Sequence, residues 1–206
     1  MMDTSAYENM RAGKSYGMPN PYLIGLQIDA RAKRDAYNAT PMREAEQRQA
    51  MLKDMLGSFG TGMILSPVVW EYGKHIYFGE RVFVNFDCVF LDGADIRVGS
   101  NTVIGPRAQF LTAGHPLDPS ERIKLDPETG IPVGSHCVNK PITIGRQCWI
   151  GAGAIILGGV TIGDGTTIGA GSVVTRDVAS GVLAAGNPCR VIREVVTDRV
   201  RPSTVG

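Results

Sequence analysis

The stretch Ile142 to Val174, ITIGRQCWIGAGAIILGGVTIGDGTTIGAGSVV, decides the fold. Aliphatic residues fall at Ile144, Ile150, Ile156, Ile162, Ile168 and Val174, a strict period of six. The next position holds Gly145, Gly151, Leu157, Gly163, Gly169 and Thr175. Four positions after each aliphatic residue comes a compact one: Cys148, Ala154, Val160, Thr166 and Ser172. Neither the helical period of 3.6 nor the strand period of 2 generates this spacing. A hexapeptide period is the mark of a parallel β-helix. Each hexapeptide supplies one short strand and one turn, and its aliphatic side chain points into a narrow core. Three hexapeptides close a triangular coil, so stacked positions such as Ile144 and Ile162 lie about 18 residues apart. Glycine and other small residues let the chain turn at the corners.

The frame extends outward from there. Phe78, Val84 and Phe90 are spaced by six, as are Val98, Ile104 and Phe110, after a slip of two residues around Gly93-Ala94. Val82, Cys88, Thr102 and Ala108 hold the compact position, which makes Cys88 and Cys148 core fillers. Ahead of the repeat, residues 22 to 57 read as largely helical. A second helix is expected from Pro41 to Leu56, capped by Thr40 with proline at the first helical position, and ended by Gly57 and Gly60. Thr112 to Pro141 breaks the repeat with a long insertion that carries His115 and His136; a loop of this length inside a regular solenoid is functional or disordered. The expected division is a helical N-terminal segment (1–60), a β-helix (61–180) with the loop 112–141, and a C-terminal extension (181–206).

Composition sets outer bounds. The 206 residues carry 21 Lys plus Arg and 20 Asp plus Glu, a balance that gives no support for nucleic acid or an acidic membrane surface as the main partner. Glycine is unusually frequent at 26 residues, against a usual share of roughly 7%. No apolar run approaches the ~18 residues of a membrane span, and Met1 to Asn20 lacks the apolar stretch of a secretory signal. Four widely spaced cysteines show no zinc-type spacing. These features together point to a cytoplasmic protein with reduced thiols.

Several local motifs are more specific than the repeat. Tyr72-Gly73, Val84-Asn85-Phe86-Asp87-Cys88, Thr112-Ala113-Gly114-His115-Pro116, Pro141-Ile142-Thr143-Ile144-Gly145, Cys148-Trp149-Ile150-Gly151 and Gly186-Asn187-Pro188-Cys189-Arg190 resemble the maltose/galactoside O-acetyltransferases. The opening Arg11-Ala12-Gly13-Lys14 followed by Tyr16 is similar to that family's N-terminal segment, so the resemblance runs from about Met10 to Arg193. It implies a left-handed parallel β-helix, a homotrimer, and acetyl transfer from acetyl-CoA to a hydroxyl. The hand is carried by the resemblance alone, since the period does not fix it.

Acetylating a hydroxyl requires removal of a proton as the oxygen attacks the thioester. An imidazole in ordinary surroundings titrates near ~6.5 and suits that task; the family's catalytic histidine maps onto His115. A thioester is already activated, so direct transfer needs no acyl-enzyme. Asn85, one step after Val84, matches a family asparagine beside the catalytic histidine and can orient acceptor or base. Asp92 also matches, whereas some relatives carry a second acidic residue at the position of Gly93, and Glu71 stands where relatives vary. These three are the expected acceptor-binding residues. For the donor, small residues at Ala152 and Ala170 let the thin pantetheine arm lie on the backbone. Thr175 and Arg176, with Arg190 and Arg193, match the CoA-contacting segment, and the arginines can meet the CoA phosphates. A backbone N–H near Ala152 is the candidate oxyanion donor.

Three other readings remain beside this one. An antibiotic or serine acetyltransferase would share the repeat, although the N-terminal segment favours the sugar family. A non-catalytic assembly subunit gives no reason to keep His115, Asn85 and the arginines together. A metal hydratase on the same solenoid needs clustered histidines, and His75, His115 and His136 show no such spacing; no metal is expected to be required.

Overall fold

A computed structural model describes residues 3–195. Residues 196–206 of the expected C-terminal extension lie outside the described residues.

From Ser58 onward, short strands stack into three parallel sheets, one on each side of a triangular coil. The first face stacks Ser58–Phe59, Ile76–Phe78, Ile96–Val98, Ile142–Ile144 and Thr161–Ile162. The second includes Gly62–Ile64, Val82–Val84, Val103–Ile104, Trp149–Ile150, Thr167–Ile168 and Val182–Ala185. The third stacks Val68–Trp70, Cys88–Leu91, Gln109–Leu111, Ile155–Leu157 and Val173–Val174. The expected register is present: Ile144 lies opposite Ile162, Ile150 opposite Ile168, and Ile156 opposite Val174. In the earlier coils Trp70 lies opposite Phe90 and Phe90 opposite Phe110. A turn there takes two residues more, which accounts for the slip at Gly93-Ala94.

The aliphatic column forms one continuous core, with Ile104, Ile150, Ile156, Ile162 and Ile168 fully buried. Its early part is aromatic: the Phe90 and Phe110 rings stack at 4.9 Å, and Phe78 meets Phe90 edge-on at 5.7 Å. Cys88 and Cys148 are buried in the column, and burial raises the pKa of both thiols, that of Cys88 to about 11.

The corners follow a rule that the period did not disclose. At most corners the third residue after the core side chain adopts the left-handed region: Arg81, Asp87, Asn101, Arg107 and Gln147, then Gly153, Gly159, Gly165 and Gly171. Glycine thus serves the later corners as expected, while the earlier ones accept large side chains in a conformation that costs L-residues roughly 1–2 kcal/mol each.

The N-terminal segment differs from expectation at one boundary. Helix α1 spans Ser5–Arg11, α2 spans Pro21–Ala39 and α3 spans Ala45–Met55. The capping signal with proline at the first turn lies at Asn20-Pro21, where the Asn20 side chain accepts from Leu23 N at 3.1 Å. Thr40 instead ends α2, donating its hydroxyl to the Ala36 carbonyl at 2.8 Å, and its extended backbone suits a residue before proline. Arg48 of α3 ties the cap to the first coil. It is buried, and it donates to the carbonyls of Tyr37, Thr40 and Ile64 and to Ser66 Oγ at 2.6–3.1 Å.

The insertion is ordered as a small antiparallel sheet. Its long strand Pro132–Asn139 pairs with Ile123–Leu125, with Ala113–Gly114, and with the N-terminal strand Tyr16–Met18. A short helix α4, Pro119–Arg122, lies in the same insertion.

The corner rule yields a test. A Cβ at Gly165 would meet nothing within 4 Å, so only its φ of +67° is restrictive. Gly165→Val is expected to lower stability by about 2 kcal/mol and Gly165→Asn by well under half of that, because Asn tolerates the left-handed region. Denaturant midpoints of the two variants check the order.

Candidate functional site

His115 follows Ala113–Gly114, where the chain leaves the third face and enters the insertion. It is exposed, and its Nδ1 lies 2.7 Å from the His136 carbonyl oxygen. A carbonyl only accepts, so Nδ1 carries the hydrogen and Nε2 of the neutral ring keeps its lone pair. Cys137 Sγ sits 3.8 Å from Nδ1. A groove lined by Ser15, Pro116, Glu121, His136 and Val138 opens beside the histidine.

Glu71 ends the Val68–Trp70 strand on the same edge of the third face. It is half-buried, its pKa is raised by burial and partly restored by Arg31, and its Oε1 receives a long 3.5 Å contact from Gln27. Tyr16 lies close to both Glu71 and Cys137; burial raises the pKa of its phenol well above the ordinary value. Asp92 is placed differently from a side chain that meets an acceptor directly. It is fully buried, and its Oδ1 accepts from the backbone N–H groups of Glu71 and Tyr72, both at 2.9 Å. It therefore sets the backbone that presents Glu71. Its Oδ2 has no partner, and burial raises its pKa to about 6.

Asn85 lies at the other edge of the third face, on the corner before Cys88–Leu91. Its Oδ1 accepts from Phe86 N at 2.9 Å. The same step after the aliphatic residue is glycine in the next three coils at this corner: Gly105, Gly151 and Gly169. At Gly151 a Cβ would come 2.5 Å from Ala170 N. Asn85 and His115 stand at opposite edges of the third face, with at least the strand Cys88–Leu91 between them, and their hydrogen bonds do not include each other.

Among the expected donor residues, Arg176 and Arg190 line one shallow groove with Asp177, Val178, Cys189 and Val191. Thr175 is exposed next to Arg176, and Arg193 is exposed on the strand Arg190–Glu194. Ala152 and Ala170 are exposed and stacked in successive coils at the corner after the second face, where Ala185, the partner of Arg190, packs on Gly169. The structure thus brings Arg176 together with Arg190, and through Ala185 it sets Arg190 beside the corner that carries Ala152 and Ala170.

The periodic reading missed Tyr16, Cys137, Asn139 and the His136 carbonyl. Nothing in the six-residue frame reaches residues 132–139; their antiparallel pairing with Ala113–Gly114 brings them to His115, and pairing with Tyr16–Met18 holds their other edge. His75 belongs to no site of this kind. It is buried, its pKa is lowered to about 4 by burial, its Nδ1–H donates to the Asp92 carbonyl at 2.6 Å, and its Nε2 accepts from Tyr7 Oη at 3.2 Å. Among the described residues, no group of three His, Cys, Asp or Glu side chains is arranged to hold a metal ion.

Asp92 gives a pH test. Its folded pKa of about 6 exceeds the ordinary 3.8, so folding favours the neutral acid. The fold is therefore relieved of this cost below about pH 4, and it loses stability as pH rises through 6. The stability of wild type relative to Asp92→Asn is expected to fall by about 2 kcal/mol between pH 4 and pH 7, read from denaturant unfolding at each pH.

Comparison with known proteins agrees with this fold. Residues 9–60 match the maltose acetyltransferase hexapeptide capping motif, and residues 141–176 match the bacterial transferase hexapeptide (six repeats). The chain is 42% identical over 191 residues to Nodulation protein L of Rhizobium meliloti (strain 1021), covering 92% of this chain and 99% of that protein. The crystal structure of a maltose O-acetyltransferase from Clostridium difficile 630 superposes with a TM-score of 0.84 at 36% identity, covering 95% of this chain and 98% of the other. A galactoside acetyltransferase in complex with coenzyme A gives 0.82 at 34% identity, covering 95% and 92%. A capping motif, a repeat and near full-length similarity of this degree place the chain in the maltose/galactoside O-acetyltransferase family of hexapeptide-repeat enzymes.

Proposed function

We propose that this O-acetyltransferase moves the acetyl group of acetyl-CoA directly onto a hydroxyl of a sugar or sugar-like acceptor, with His115 as general base. The observation that carries the reading is the bond from His115 Nδ1 to the His136 carbonyl, which fixes the tautomer and leaves Nε2 as the basic atom. Nε2 takes the acceptor proton as the oxygen attacks the thioester carbonyl. A backbone N–H near Ala152 donates to the oxyanion of the tetrahedral intermediate. Collapse expels the CoA thiolate, which takes up the proton from His115, so atoms and charge balance without an acyl-enzyme. Glu71 and Asn85 bind acceptor hydroxyls, with Asp92 holding the Glu71 backbone. Arg176, Arg190 and Arg193 meet the CoA phosphates, and Ala152, Ala170 and Thr175 flank the pantetheine arm.

The active unit in this reading is a homotrimer. Outward-facing side chains of the first face are polar or charged, including Arg97, Thr143 and Thr161. The second face exposes Met63, Val103 and Trp149, the third exposes Val69, and Phe86 is exposed on the corner between them. Such a surface supports burial against other copies, and threefold packing closes it with one repeated contact. The same packing supplies a route by which His115 of one copy meets Asn85 of the next.

Steady-state kinetics with acetyl-CoA and a panel of sugar acceptors, following released thiol, tests the reading. His115→Ala is expected to lose about 10²- to 10⁴-fold in rate while keeping wild-type oligomeric state and melting temperature. Activity within a few-fold of wild type overturns the assignment. Replacing Arg176, Arg190 or Arg193 by Ala is expected to raise KM for acetyl-CoA more than KM for acetyl-pantetheine, which lacks the nucleotide phosphates. Equal effects on both donors assign these arginines to structure.

A further inference from the structure

Asn139 is a buried amide that packing alone does not explain. Its side chain is 1% exposed; Nδ2 donates to Tyr16 Oη at 2.9 Å, and Oδ1 has no partner. A buried amide with an unpartnered oxygen is less favourable than an apolar side chain of the same size. The surroundings nevertheless make room for it. A Cβ at Gly93 would lie 2.1 Å from Asn139 Nδ2, so any side chain at position 93 would displace the amide.

The bond it makes sits at the junction of three elements. The backbone of Asn139 pairs with Ala113, two residues before His115. Its side chain holds Tyr16, which pairs with Cys137 in the N-terminal strand, while Gly17 pairs with His136. The carbonyl that receives the His115 Nδ1 hydrogen is that of His136. Each backbone pairing is short, two residues on one side and three on the other.

We infer that Tyr16 and Asn139 are positioning residues for His115, and that the N-terminal capping segment thereby acts in catalysis. The Asn139–Tyr16 bond pins the strand that carries the His136 carbonyl, and that carbonyl fixes which ring nitrogen of His115 is free. Gly93 is kept small so that the amide can sit there. The inference rests on His115 being the base, but its structural core, the tautomer of that ring, is measurable without turnover.

The test uses the intact enzyme labelled with ¹⁵N-histidine. The chain has three histidines, and single substitutions of His75 and His136 assign the spectrum. In wild type, His115 is expected as the Nδ1–H tautomer. In Tyr16→Phe, which keeps the ring and removes only the hydroxyl, the expected result is a mixed tautomer. kcat should fall about ten- to hundred-fold, with the acid limb of its pH profile displaced and KM for acetyl-CoA unchanged. Asn139→Ala should behave alike, and Gly93→Ala added to Asn139→Ala should cause no further loss. A wild-type tautomer in folded Tyr16→Phe overturns the inference, whether kcat is unchanged or falls together with melting temperature. His115→Ala, assayed in parallel, separates the two claims. If it stays active, the base assignment fails; if it is inactive while Tyr16→Phe retains wild-type kcat and tautomer, only the positioning role fails.

Discussion

Backbone-to-backbone stacking of successive coils is the constraint on which the molecule depends. Gly145 N reaches the Ile162 carbonyl and Gly151 N the Ile168 carbonyl, each at 2.8 Å. At that separation a Cβ at Gly105 or Gly151 would come within 2.7 or 2.5 Å of the backbone of the next coil, so those corners are kept bare. The glycines at these corners follow from this close approach. So does the visibility of Asn85. An asparagine heading a column continued by Gly105, Gly151 and Gly169 stands where the repeat otherwise keeps the corner bare.

The same geometry divides the chemistry. A rigid solenoid fixes how far apart its edges are, and the third face holds Asn85 on one edge and His115 with Glu71 on the other. Side-chain motion does not close a strand's width. In the proposed trimer, the exposed apolar residues on the second and third faces are the surface on which a neighbouring copy would bring such groups together. The insertion solves a different problem. A histidine projecting from a two-residue strand has no fixed orientation by itself. Pairing of the long strand Pro132–Asn139 with Ala113–Gly114 brings up the carbonyl that orients it, and the N-terminal strand braces that long strand from the other side.

Repetition explains what could be read in the sequence. The coil was legible because every turn repeats the same contacts, so Ile144 to Val174 signals the fold many times over, and even the slip at Gly93-Ala94 corresponds to a real change in coil length. The corner conformation was less legible, since Arg81, Arg107 and Gln147 occupy a left-handed position for which their side chains give no cue. Glu71 was proposed from a position at which relatives vary, and His115 and Asn85 from local motifs. Asp92 was also found there, yet its place is beneath the surface, because a carboxylate that satisfies two backbone N–H groups looks the same in sequence as one that meets an acceptor. Tyr16, Cys137 and Asn139 stayed hidden for a simple reason. Their neighbourhood is made by pairing between segments more than a hundred residues apart, and no period records it.

The central claim is that the catalytic site is completed between copies, with His115 from one and Asn85 from another. Complementation tests it most directly. Inactive His115→Ala and Asn85→Ala proteins are denatured together, refolded, and assayed with acetyl-CoA and an acceptor, after mass spectrometry verifies mixed assemblies. The account predicts partial recovery of activity, because some interfaces then hold both residues intact. No recovery from verified mixed assemblies, or a monodisperse active monomer in light scattering, would contradict it.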